Sequence, residues 1–147
     1  MDAPIPSAKS FAQCVCLGVN KAARATTRRY DAAFRPLGLT SGQFSLLAAL
    51  HRPEPVALGK LAETLGMDRT TLNRNIRPLE DEGLVATVAD PEDARVRALA
   101  LTARGLEKLA AAAPVWRALQ QDAKARVNGG GAGAAWDEIR QQLLLLT

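Results

Sequence analysis

At 147 residues with 48% apolar content, the chain is long enough for one domain with a real core and too short for two comfortable ones. Only 4% of residues are aromatic, whereas alanine and leucine are abundant, a mix that suits helices better than a sheet sandwich and predicts a mostly α single domain over 1–147. The formal net charge of +4 suits a polyanionic partner. A lack of 18 uninterrupted apolar residues or a signal-like N-terminus predicts a cytoplasmic protein with no membrane association.

Phe11 to Phe34 reads as one long helix, with Val15, Val19, Ala22, Ala23 and Tyr30 apolar and Lys21, Arg24, Arg28 and Arg29 polar. Pro36 and Gly38 end it. Thr40 followed by Gln43 is a capping-box pair, since hydroxyl and amide can each satisfy an orphaned backbone N–H; the helix it opens carries Phe44, Leu47 and Ala48 at core spacing. His51-Arg52-Pro53-Glu54-Pro55 breaks the chain. Leu58, Leu61, Ala62 and Leu65 then repeat at helical spacing up to Gly66, and Asp68 can cap a further helix running to about Glu82, with Gly83 as its stop. Two short helices about a glycine-containing turn make a helix-turn-helix candidate.

Leu84 to Val88 and Val96 to Leu101 read as two strands of a hairpin with a polar tip at Ala89-Asp90-Pro91-Glu92-Asp93-Ala94-Arg95. Thr102 caps a long alanine-rich helix to about Val127, in which Pro114 is expected to kink or interrupt the chain. Asn128 to Gly133 reads as a flexible break, and a last helix places Trp136, Ile139 and Leu143 on one side.

The second helix of the pair carries the chemistry. Leu72, Ile76 and Leu79 share a buried face, and the opposite face holds Arg69, Thr70, Asn73, Arg74 and Arg77, with Thr71 beside them. Its acids, Glu80, Asp81 and Glu82, lie at the far end, the reverse of what the helix dipole favours. Arginine can pair bidentately with guanine and asparagine with adenine, and threonine can reach a phosphate or a thymine methyl. Arg95 and Arg97 are read at the hairpin tip, where a wing beside the duplex would put an arginine in the minor groove. Pro78 removes a backbone hydrogen bond and is expected to bend the helix near Arg77.

Three stretches carry a joint resemblance: Leu58-Gly59-Lys60-Leu61-Ala62-Glu63-Thr64-Leu65-Gly66-Met67-Asp68-Arg69-Thr70-Thr71-Leu72, then Leu79-Glu80-Asp81-Glu82-Gly83-Leu84-Val85, then Asp90-Pro91-Glu92-Asp93-Ala94-Arg95 with Leu101-Thr102-Ala103-Arg104-Gly105. Together they resemble the MarR family of bacterial regulators, over about Phe11 to Leu146 in helix order. The resemblance implies a winged helix-turn-helix lobe over 40–102 and a homodimer formed by interlocked terminal helices, 10–36 and 103–146. It also implies two recognition helices in successive major grooves of double-stranded DNA, and a wing arginine, Arg95, braced by Asp93. Ala94 stands where relatives often carry another arginine, which weakens the wing. A small-molecule effector, aromatic or phenolic, is the implied signal, with Tyr30, Phe44 and His51 as candidate pocket residues.

Gln13-Cys14-Val15-Cys16-Leu17, Thr27-Arg28-Arg29-Tyr30 and Pro36-Leu37-Gly38-Leu39-Thr40 are similar to the branch that senses organic hydroperoxides. Cys16 stands at its reactive cysteine and Tyr30 at one of two tyrosines that hydrogen-bond it, while Ser41 replaces the second. Cysteine is equally at home as a small apolar filler. Within one helix Cys14 and Cys16 would lie about 200° apart, which disfavours a shared metal or a disulfide. His51 is the only histidine, and no Ser/His/Asp set, catalytic carboxylate pair or zinc spacing surrounds it. Gly129 to Gly133 lacks the strand and lysine of a phosphate loop. The sequence therefore predicts no enzyme, no cofactor and no metal, but a dimeric DNA-binding regulator, more readily a repressor. The alternatives are a thiol-based sensor using Cys16 and a winged-helix protein-interaction module.

Overall fold

The computed structural model describes residues 5, 7–90, 92, 93, 95–129 and 136–147. Its order is α1 (Ala8–Phe11), α2 (Val15–Phe34), a 3-10 turn (Arg35–Leu37), α3 (Ser41–Ala49), β1 (Val56–Ala57), α4 (Leu58–Leu65), α5 (Arg69–Asp81), β2 (Val85–Ala89), β3 (Arg97–Leu101), α6 (Ala103–Gly129) and α7 (Trp136–Leu144). The chain is mostly helical around one small antiparallel sheet of order β1-β3-β2.

Local chemistry sets the boundaries of the central elements. Thr40 and Gln43 close the capping box at α3, the threonine oxygen accepting from the Gln43 N–H at 3.2 Å and the glutamine oxygen from the Thr40 N–H at 2.9 Å. The Asp31 carboxylate accepts the next free amide, Ser41 N–H, at 2.7 Å and so ties the end of α2 to the start of α3. Gly66 and Gly83, at φ 60° and 69°, take the left-handed conformation that ends α4 and turns the chain into β2.

Phe34, Leu46, Leu47, Leu50, Leu61, Leu72, Ile76, Leu79 and Leu99 are the largest fully buried side chains. They come from α2, α3 and its C-cap, α4, α5 and β3, so the core lies where these elements meet around the buried side of α3. β2 pairs with β3 from Val85↔Leu101 to Ala89↔Arg97. Thr102 joins the sheet to α6: its hydroxyl donates to the Gly83 carbonyl at 2.7 Å and accepts the Gly105 N–H at 3.0 Å. Gly105 has no room for a side chain, because a Cβ there would stand 2.0 Å from the Leu84 carbonyl oxygen.

Four sequence expectations change. The first helix is not continuous from Phe11: α1 ends there and α2 begins at Val15, with Cys14 extended (φ −63°, ψ 123°) at its N-cap. Cys14 thus stands outside the helix, and the 200° separation from Cys16 does not apply. A two-residue strand, β1, pairs Val56 with Leu99 and Ala57 with Ala98 and extends the hairpin to three strands; two residues offer no period to read. α6 runs through Pro114 without interruption, whereas α5 reaches Asp81 through Pro78 as the expected helix to about Glu82 does. Of the break expected over Asn128 to Gly133, Asn128 and Gly129 are instead the end of α6, and 130–133 lie outside the described residues.

Candidate nucleic-acid interface

α5 is positioned from below and capped from its N-terminus. Leu72, Ile76 and Leu79 are 0%, 1% and 0% exposed, which fixes the rotation of the helix on the core. Asp68 accepts the Thr71 N–H and the Thr71 hydroxyl, both at 2.8 Å. Those hydrogen bonds, the backbone one foremost, hold its carboxyl below the usual aspartate range. Fixing the rotation decides what faces outward: Arg69, Thr70, Asn73, Arg74 and Arg77 are all exposed, and none of these five forms a side-chain hydrogen bond or ion pair among the described residues. Three guanidinium groups, an amide and a hydroxyl therefore stand free on one face. Thr71 differs, since its hydroxyl is committed to the cap.

The hairpin tip is shaped by acids acting on backbone amides. Asp90 accepts the Glu92 N–H at 2.9 Å, and the Asp93 carboxylate accepts the Arg95 N–H at 2.9 Å. The Asp93 carbonyl takes the Val96 N–H at 2.9 Å, and the Asp90 N–H donates to the Val96 carbonyl at 3.1 Å, closing the loop. Asp93 thus holds Arg95 by its backbone, while the Arg95 side chain is exposed. Pro91 and Ala94 lie outside the described residues.

Arg97 is not at the tip but at the start of β3, and its guanidinium is already engaged. Nη2 lies 2.8 and 2.9 Å from the two Glu80 carboxylate oxygens, and Nε donates to the Thr87 hydroxyl at 3.1 Å. Thr87 also bonds Glu80. Burial pushes the Glu80 carboxyl up, but the hydrogen bonds from Thr87 and Arg97, with the guanidinium charge, outweigh it and leave the group below the ordinary glutamate value. The sequence reading missed Glu80 as anything but a terminal acid; its partners lie 7 and 17 residues away, beyond any helical period. It also missed Asn75, half-buried against Gly42, whose amide donates to the Thr71 carbonyl at 3.0 Å.

The remaining candidates are scattered. Phe44 is buried and stacked between Phe34, at a centroid distance of 4.6 Å, and Trp116, at 6.2 Å. Tyr30 meets Phe34 edge-on at 6.2 Å, and its hydroxyl accepts from the Gln120 amide at 2.9 Å. Burial foremost, with Asp122, raises the Tyr30 hydroxyl above its ordinary value against the opposing Arg29 charge and Gln120 bond. His51 instead borders a shallow hollow of about 180 Å³ with Leu50, Arg52, Leu101, Thr102, Ala103 and Leu106, which Tyr30 and Phe44 do not touch. Cys16 is exposed, with the Asn20 amide nitrogen 3.2 Å from its sulfur. Tyr30 follows it by fourteen positions on the same helix, about 21 Å along the axis, so the two do not meet within one chain.

The MarR family model matches residues 39–96, the stretch holding α3, β1, α4, α5 and β2 and ending just before β3. An HTH-type transcriptional repressor of Mycobacterium tuberculosis, Rv2887, is 34% identical over 97 residues, 66% of this chain and 70% of the relative. The organic hydroperoxide resistance transcriptional regulator of Bacillus subtilis is 28% identical over 91 residues, 62% of each chain. The chain spans about half the length of several other curated relatives that it matches. Among solved structures, the M. tuberculosis transcriptional regulator MosR in complex with DNA superposes with a TM-score of 0.75 at 37% identity, covering 90% of this chain and 92% of that one. With the winged helix-turn-helix architecture and these matches together, the chain belongs to the MarR family of transcriptional regulators.

Proposed function

We propose that the protein is a homodimeric, sequence-specific repressor that binds double-stranded DNA. The observation that carries the reading is the outer face of α5, where Arg69, Thr70, Asn73, Arg74 and Arg77 stand exposed and unengaged over a locked apolar face. A helix so presented enters the major groove with its N-terminal residues on the base edges. Arg95 at the hairpin tip then meets the adjacent minor groove, whose negative potential favours a guanidinium. The likeness to MosR, a regulator solved on DNA, supports the assignment.

The terminal helices support the dimer. Phe11, Val15, Val19, Trp116, Leu143 and Leu144 are 39–66% exposed on α1, α2, α6 and α7, apolar side chains that a second copy would cover. Two-fold symmetry then asks for a pseudo-palindromic operator with half-sites about one turn apart, roughly 34–36 Å. A small aromatic or phenolic effector would act between the dimerising helices and the winged lobe, where Phe34 and Trp116 flank the buried Phe44 and Tyr30 meets Phe34 edge-on. By favouring a spacing of the two α5 helices that no longer fits DNA, it would release the operator.

A second reading rests on Cys16, exposed in the first turn of α2 with its sulfur against Asn20, and on the likeness to the B. subtilis organic hydroperoxide regulator. Oxidation there would add bulk and polarity near the terminal helices. One titration separates the readings: fluorescence anisotropy on duplex DNA flanking its own gene, with and without organic hydroperoxide, for the parent and Cys16→Ser. Tight, salt-dependent binding unaffected by oxidant is the outcome expected of an effector-released repressor. Binding lost on oxidation in the parent alone assigns the signal to Cys16. An absence of duplex binding at low salt overturns the repressor and leaves the protein-interaction module.

A further inference from the structure

The Glu80–Thr87–Arg97 network joins three elements that DNA recognition would need in register. Glu80 lies in the last turn of α5, Thr87 at the centre of β2, and Arg97 opens β3. In the ladder Thr87 faces Leu99 and Arg97 faces Ala89, so Thr87 and Arg97 are diagonal neighbours on the face of the hairpin that also carries the buried Val85 and Leu99, at its tip-proximal end. A single carboxylate therefore grips both strands of the wing from the recognition helix, with four hydrogen-bond contacts among three side chains. Glu80 and Arg97 are 27% and 42% exposed at the side chain, close enough to solvent to be screened but too committed to swing freely.

We propose that Glu80 is a positioning residue that sets the angle of the wing on the recognition helix, and that Arg97 is the strut it holds rather than a phosphate contact. The proposal rests on the DNA-binding reading. It makes a claim that charge alone contradicts. Glu80 is a negative group beside a basic face, so by simple electrostatics its neutralisation should tighten binding to a polyanion. If it instead holds the wing, neutralising it lets Arg95 wander and weakens binding. The sign of the effect decides between them.

The experiment uses Glu80→Gln, Arg97→Gln and the double variant of the full chain, with Thr87→Val as a charge-neutral cut of the same network. Affinity is read by anisotropy on the duplex upstream of its own gene, across a salt series. Expected is about a fivefold loss for either single variant, a smaller loss in the same direction for Thr87→Val, and no further loss in the double variant. The slope of log affinity against log salt should stay at the parent value in all of them. Tighter binding by Glu80→Gln, or a slope reduced by about 0.9 in Arg97→Gln as for one lost phosphate contact, overturns the proposal. Amide hydrogen exchange on the free protein tests the clamp without DNA. Faster exchange of 85–89 and 97–101 in Glu80→Gln, with α2 and α6 unchanged, is expected, and unchanged hairpin exchange sinks the clamp. Should the parent bind no duplex, the DNA-binding reading and the positioning role fail together, while the exchange result still decides whether Glu80 holds the hairpin.

Discussion

The winged lobe and the terminal helices are built on opposite terms. Between Leu39 and Leu99 the chain buries most of its core, and nearly all of the fully buried large side chains belong there. By contrast α1 and α7 contain no buried residue, and the twenty-residue α2 has only Phe34. Yet the terminal helices are not polar; they leave Phe11, Val15, Val19, Leu143 and Leu144 in solvent. One region closes its hydrophobic surface within a single chain, and the other presents surface that a second copy would cover.

That contrast can be broken at its strongest point first. Leu72→Ala empties a site that is 0% exposed at the centre of the lobe and should cost about 2–5 kcal/mol, read as a lower urea midpoint at any protein concentration. A charge pair on the other region, Val15→Asp with Val19→Asp, should instead raise the dimer dissociation constant. Burying unpaired carboxylates at roughly 3 kcal/mol in total gives about a hundredfold, measured by sedimentation, with hydrogen exchange of α3 and α5 unaltered. If the double variant remains dimeric at micromolar concentration, the dimer face lies elsewhere. Gly105→Ala is smaller and tests where the regions join: its methyl group would collide with the Leu84 carbonyl, and the forced shift should cost about 1–3 kcal/mol in thermal unfolding.

What could be read from the sequence follows the same divide. The lobe announced itself through short-range chemistry: the Thr40–Gln43 box, the Asp68 cap, the glycines after α4 and α5, and the Leu72, Ile76, Leu79 stripe all act over one or two turns. Features made by distant residues were hidden. β1 exists only because Val56 finds Leu99, and Arg97 was grouped with Arg95 because nothing local tells that Glu80 holds it. At the N-terminus the apolar spacing runs smoothly through Phe11, Cys14 and Val15, so periodicity gave no sign that the helix breaks before Val15. The proposed effector residues were the least legible. A pocket is a relation among elements, and the hollow that His51 borders is not lined by Tyr30 or Phe44.

Within the lobe, side chains that face DNA should separate from those that shape it. Asn73→Ala should lower discrimination between the operator and a scrambled duplex by about 1–3 kcal/mol, with the salt slope kept. Arg95→Ala should weaken both duplexes alike and reduce the slope by about 0.9. Equal affinities for these two variants and the parent would remove α5 and the hairpin tip from the interface.

The smallest effect belongs to Glu80, and its direction follows from titration. The folded protein holds this carboxyl below its ordinary value, so the unfolded chain takes up a proton first as pH falls. The stabilisation from the pair is complete above the ordinary glutamate range, near pH 4.3. It is lost as pH falls through the lower folded-state value. With both partners partly in water, the amount is below about 1 kcal/mol. Between pH 6 and pH 3, the parent should therefore lose slightly more hairpin stability than Glu80→Gln, in which an amide that does not titrate replaces the carboxylate. Comparing exchange at 85–89 and 97–101 across that range isolates the pair from the other carboxylates that titrate there, because both proteins share those. Parallel curves would mean that the ion pair contributes nothing the amide cannot, and that the wing is held by its backbone ladder alone.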